Sequence, residues 1–223
     1  MGLQKHAVEA ITVLDIDGRR LESVGQFKYL GTLVCNQGNT AGEVIRRIQL
    51  AALVFSHLGS IWRTTVLSMS LKLRLFSAVV SSVLLYNSEC WVTTANDVRL
   101  LEGFHFRCLR QLTRSVRCSN NGEVDKASKA EVYGVAKVAV VEALLRERRL
   151  RWMGHLIRTD PRDIARQCLM RQVGSGSAWW RLILADLQAV GIKTFDEAQR
   201  LAADRSMWRT MCHARPGLQV PRR

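Results

Sequence analysis

The chain has 223 residues, is 48% hydrophobic, and carries 33 basic against 19 acidic side chains, a formal net charge of +14. That apolar fraction excludes a disordered chain, and the length suffices for one full domain or two small ones. The longest apolar runs, residues 78–86 among them, are broken by serines and fall well short of the roughly 18 residues of a membrane helix. No secretory leader pattern is visible, so no membrane and an intracellular location, nuclear and/or cytoplasmic, are expected.

In chain order, residues 11–34 carry the strand signal. "ITVLDIDGRRLESV" reads as two short runs joined by Asp17-Gly18, a two-residue hairpin turn. "FKYLGTLV" then reads as a third strand, ending in a loop over 35–40. Asp15 and Asp17 form a D-x-D that turn chemistry explains without a metal. From Ala41 the period becomes helical: Val44, Ile48, Ala51, Phe55, Leu58 and Trp62 share a stripe, with Arg46 and Arg47 off it. A second helix is expected from Ser70 to Tyr86, apolar almost all round and so buried on most sides. A third starts at Thr94 with Asp97 as its capping-box partner, and its core face is Leu101, Phe104, Cys108 and Leu112.

Residues 118–130 are polar and form the expected boundary between subdomains. A long helix is predicted from about Ala136 to Arg158, with Val141, Leu144, Leu145, Trp152 and Leu156 inward. "GSGSA" is a flexible break. Two more helices follow, "WWRLILADLQAV" and "TFDEAQRLAADRSMWRTMCHAR", the second opened by a Thr194/Glu197 capping box; the tail over 216–223 is expected to fray. The fold class is mainly α, with a short N-terminal antiparallel β-hairpin region. The expected segments are 1–40, 41–117, 118–173 and 174–223.

Of the 33 basic residues 26 are arginine, and the charge is uneven: +3 over 1–100, +6 over 101–158 and +5 over 159–223. Arginine's planar fork pairs bidentately with phosphate and stacks on bases, which points to nucleic acid. Two clusters stand out. Arg107, Arg110, Arg114 and Arg117 would line one stripe of the third helix, without acidic neighbours at i±4. In "RERRLRWMGHLIR", Arg146, Arg148, Arg149, Arg151 and Arg158 surround Trp152 and His155. Arginines interleaved with an aromatic suit phosphates plus a stacked base. Trp152 reads better as a core anchor, and His155 can be read as a satisfied core or cap histidine, whereas the arginines read as phosphate contacts.

The six cysteines show no C-x-x-C and no zinc-finger spacing, so they read as small buried hydrophobes in a reducing compartment, with no metal site. No adjacent Asp-Asp pair, G-x-x-x-x-G-K-[ST], H-E-x-x-H or G-x-S-x-G occurs. No catalytic residue and no cofactor are therefore expected in this chain.

Six motifs in order, "DIDGRRLESVGQFKYLGTLV", "EVIRRIQLAALVFSHLGSIW", "LKLRLFSAVVSSVLLYNSECW", "LEGFHFRCLRQL", "RERRLRWMGHLIR" and "AADRSMWR", resemble the C-terminal part of LINE-type (non-LTR) retrotransposon reverse transcriptases. The resemblance implies that Phe27, Tyr29, Leu30 and Gly31 belong to the primer-grip hairpin at the palm–thumb junction. It implies a thumb-like helical bundle from Ala41 to about Thr113 that tracks the template–primer backbone. It places Arg148, Arg149, Leu150, Arg151, Trp152, Gly154, His155 and Arg158 after the thumb, where element RNA or target DNA is contacted. The Mg-binding Y/F-A-D-D palm, the fingers and the endonuclease would lie upstream of residue 1, so the chain is expected to be inactive alone and to need a separate palm and fingers segment. Asn87 stands where the family usually has glycine, and "GSGSAWWRLILADL" looks shortened. Two readings of the whole stay open: a nucleic-acid-binding reverse-transcriptase fragment, or a decayed relict or protein-interaction remnant. An unrecognised hydrolase or nuclease is a distant third.

Overall fold

The computed structural model describes residues 15–16, 19–20, 23–113, 116–118 and 124–213. Expectations placed on Asp17-Gly18, Arg114 and the tail 216–223 lie outside the described residues. The chain divides into two compact units, Met1–Asn39 and Thr40–Arg223. It is mainly helical, with antiparallel β-hairpin structure at the N-terminus followed by helices, as the alternation and helical stripes predict.

In the first unit β1 (Asp15–Ile16) and β2 (Arg19–Arg20) pair antiparallel, Ile16 opposite Arg19. The next stretch differs from expectation. "FKYLGTLV" is a hairpin in itself: β3 (Gln26–Tyr29) turns back into β4 (Thr32–Cys35), with Tyr29 opposite Thr32. Leu30 and Gly31 bridge them at φ of 45° and 80°. Two consecutive positive φ values mark the turn whose twist matches paired strands. Gly31 adopts it freely and Leu30 against its steric preference.

In the second unit α1 (Ala41–His57) buries Val44, Ala51 and Phe55 along its stripe, and α2 (Gly59–Arg63) buries Trp62. Arg47 was expected off that stripe and is buried instead. Its Nε donates to Glu43 Oε1 at 2.5 Å, and its guanidinium lies 4.4 Å over the Tyr86 ring. The expected second helix is interrupted. α3 (Met69–Leu75), capped by Ser68 Oγ, runs into a π-helical turn over Phe76–Val80 and then α4 (Ser81–Leu84). A π turn widens the ladder by one residue and re-aims the side chains around it. Lys72 is buried, and its Nζ donates to the carbonyls of Trp62 and Thr64 at the end of α2.

Asn87, at φ 59°, opens the 3₁₀ turn Ser88–Cys90 in the left-handed region, where glycine is the easiest occupant and asparagine the next. α5 (Ala95–Thr113) begins on the predicted box: Thr94 Oγ1 accepts from the Asp97 N–H, and Asp97 Oδ2 accepts from the Thr94 N–H. Leu101, Phe104, Cys108 and Leu112 are buried as its periodicity requires. It ends at Thr113. β5 (Val116–Cys118) pairs antiparallel with β6 (Val124–Lys126) where a loop was expected.

The helix expected from about Ala136 to Arg158 starts only at Val141, and a separate short helix precedes it. α6 (Lys129–Ala136), opened by a full Ser128/Glu131 capping box, stops at left-handed Lys137, and α7 (Val141–Arg158) starts afresh. The new start is set from α5: Glu102 Oε2 accepts the Val141 N–H at 2.8 Å, a carboxylate on a helix N-terminus. Beyond it come α8 (Ile164–Gln172), α9 (Ala178–Ala189), α10 (Phe195–Ala203) and α11 (Arg205–Cys212). The last predicted helix is two, because Asp204 accepts from the N–H groups of Ser206 and Met207 and caps a second start. Gly174 and Gly176 sit at positive φ in the "GSGSA" break.

The apolar side chains gather into two clusters. The first runs from Val44 to Leu145 and the second from Leu150 to Cys212. The division falls inside α7, and Ala127, from the segment expected to be a boundary, is buried in the first. Cys108 and Cys212 are buried as expected, whereas Cys90 and Cys168 are exposed.

Candidate nucleic-acid interface

Helical phase decides what the arginines of α7 do. At about 100° per residue, Leu145, Arg149, Met153 and Leu156 fall on one face, and Arg148, Arg151, Trp152, His155 and Arg158 on another. On the first face Arg149 is only 4% exposed. Its Nε and Nη2 donate to the two carboxylate oxygens of Asp186 on α9, at 2.6 and 3.0 Å. Arg146 Nε lies 3.8 Å from the same carboxylate. Arg149 therefore binds α7 to α9 and is enclosed, unlike the phosphate contact expected of it, while Arg146 reaches the same carboxylate only at ion-pair distance.

On the second face Arg148, Arg151, Trp152, His155 and Arg158 all line one open cleft of about 680 Å³. The opposite wall comes from α11, with Arg205, Trp208 and Arg209, and further lining includes Ser77 and Ser81 of the π-turn region and Glu89 of the 3₁₀ turn. Sequence spacing did not single out Arg205 and Arg209, although both stand in "AADRSMWR"; their i, i+4 separation was the available signal. Five guanidinium groups thus face one space that holds the carboxylates of Glu89 and Glu147. Arg151 Nη1 lies 3.4 Å from Glu147 Oε1, and His213 Nδ1 lies 3.3 Å from the same oxygen. Burial pulls the pKa of Arg148 down, and Glu89 opposes that shift. Arg158 Nη1 donates to the Ala202 carbonyl in the last turn of α10 at 2.7 Å.

Gly154 explains how the two walls come together. A Cβ there would stand 2.0 Å from Trp208 Nε1, and that Nε1 donates to the Leu150 carbonyl at 2.9 Å. The N–H edge of the indole of "AADRSMWR" therefore abuts the backbone of "RRLRWMGH", a fit that any side chain at 154 would block. Trp152 is half-buried and neither wholly core nor free. Its ring lies 5.4 Å from that of His155, tilted by 36°.

The other sequence candidates are scattered. Arg107 is exposed on α5, and Arg110 lies 5.7 Å over the Phe106 ring. Arg117 is on β5, opposite Asp125 in the pairing register. The expected helical stripe therefore does not extend to Arg117, which lies on a strand and not on α5. Phe27 and Tyr29 lie on β3 and are 60% and 62% exposed, with Leu30 and Gly31 at its turn.

A buried relay lies within the first cluster. Tyr133 donates its hydroxyl proton to Glu102 Oε1 at 2.6 Å, so His105 Nδ1, 3.0 Å from that hydroxyl, is the donor to it. This leaves His105 Nε2 buried without a hydrogen-bond partner. Burial lowers the His105 pKa to about 4 against the opposing pull of Glu102.

Among the described residues no group of three or more His, Cys, Asp or Glu is placed to hold a metal ion. None of the described helices is long and apolar enough to cross a membrane. Compared with known protein families, curated proteins and solved structures, the chain matches none.

Proposed function

We propose that the chain binds nucleic acid, RNA and/or DNA, through the cleft between α7 and α11, as the primer-grip, thumb and post-thumb part of a LINE-type reverse transcriptase. One observation carries this reading: five arginines from two helices far apart in sequence face a single space beside an indole and an imidazole. Guanidinium groups converge at such density on phosphates. The chain has no A-D-D stretch, so binding and no chemistry of its own is assigned to it, with Mg held by a palm segment. The site would be intracellular, nuclear or cytoplasmic, which the surface thiols of Cys90 and Cys168 support.

Template–primer binding across a salt series tests it. The logarithm of affinity should fall linearly with the logarithm of salt, by roughly 0.9 for each phosphate engaged on duplex. Arg205→Glu with Arg209→Glu should remove most of the binding while the fold persists. A flat salt response sinks the proposal. The exposed Phe27, Tyr29 and Val34 of the hairpin favour the second reading, a protein-interaction remnant, which predicts self-association that salt does not weaken.

A further inference from the structure

We infer that the cleft takes an unpaired strand, with one base laid against the Trp152–His155 pair, and not a duplex. The inference rests on the cleft being a nucleic-acid site.

Three observations point the same way. First, Trp152 differs from the other tryptophans. Trp62, Trp91, Trp180 and Trp208 are buried, and the indole N–H of Trp179 is held by the Glu89 carbonyl at 3.0 Å. Trp152 is half-buried, lines the cleft and meets His155 ring to ring. Second, its neighbours along the same stripe are cationic. Arg148 and Arg151 lie within one turn on the N-terminal side and Arg158 lies beyond His155, so phosphates on either side of a stacked base would meet guanidinium groups. Third, about 680 Å³ lies in the range of roughly 300–1,000 Å³ that encloses a small ligand. That space suits a nucleotide or two and is too small to enclose a double helix. A paired base has both faces covered by its neighbours in the stack, so only an unpaired base can use this surface. Every base has a π-face, so recognition tolerates sequence.

The test measures affinity at one fixed salt for short oligothymidine, an abasic strand of equal length, and a blunt duplex. Oligothymidine should bind roughly tenfold or more tighter than the abasic strand, the usual scale of one base–aromatic stack, and tighter than the duplex. Trp152→Leu, checked for folding by its melting curve, should bring oligothymidine down to the abasic level and leave abasic binding unchanged. Trp152→Phe, which keeps a ring, should retain most of the preference. Equal binding of all three probes by the unaltered protein overturns the inference and leaves the arginine cleft standing as a phosphate site. Equal loss for oligothymidine and the abasic strand in Trp152→Leu also overturns it. No binding of any probe overturns the nucleic-acid reading itself.

Discussion

Arg148 and Arg149 are adjacent in sequence and about 100° apart around α7, and they meet opposite surroundings. Arg149 is enclosed with a bidentate carboxylate partner on another helix, whereas Arg148 opens to a cleft shared with four more arginines. A run of arginines in sequence is therefore two groups in space, one binding the fold together and one left to interact with something else. The buried group depends on Asp186 more than on its own charge. The exposed group contributes little to stability, because solvated charges interact weakly.

The largest expected effect breaks the buried side. Asp186→Ala leaves Arg149 charged and enclosed without a partner, which costs about 3 to 5 kcal/mol and shows as a large fall in the melting midpoint. If stability were unchanged, the two faces would not differ as described.

A second effect comes from a buried base with no ionic partner of its own, His105. Its pKa is about 4 in the folded chain, against about 6.5 in the unfolded one. Between these values the unfolded state holds more protons, so stability is complete above pH 6.5 and is lost as pH falls through 4. The whole loss is about 3 kcal/mol. Denaturant melts from pH 7 to 4 read it, and His105→Gln should flatten the response.

Gly154→Ala comes next. Its Cβ would meet Trp208 at 2.0 Å, and overpacking of this kind costs about 1 to 3 kcal/mol. Because Trp208 joins the two cleft walls, nucleic-acid affinity should fall with stability here, as it should not for Asp186→Ala measured well below its melting point.

Smallest in stability and most telling for the cleft are Arg151→Ala and Arg205→Ala. Each should change stability by no more than about 0.5 kcal/mol while lowering the salt slope of binding by about 1. A matching Arg107→Ala, remote in sequence from the cleft residues, should leave that slope unchanged.

Much of the fold was legible because it rests on local chemistry. The stripe Leu101, Phe104, Cys108, Leu112 buries as its spacing requires, and the Thr94/Asp97 box opens α5 where its two residue types allow. The Thr194/Glu197 box is only half as expected. Thr194 Oγ1 accepts from the Glu197 N–H, but the Glu197 carboxylate accepts from Lys193 instead of Thr194. Boundaries were least legible where partners came from elsewhere, as where Glu102 on α5 starts α7.

A mainly helical chain, its apolar stripes, its caps and its surplus of arginine follow from residue type and spacing within a turn or two. Which arginines are spoken for depends on packing between distant helices. Asp186 lies 37 residues from Arg149 and nothing local marks it as the partner. Trp208, 58 residues from Leu150, brings Arg205 and Arg209 to the cleft only because Gly154 leaves room for its ring. A charge's role follows from whether an opposite charge is enclosed with it, and that depends on packing between helices that the chain order keeps apart.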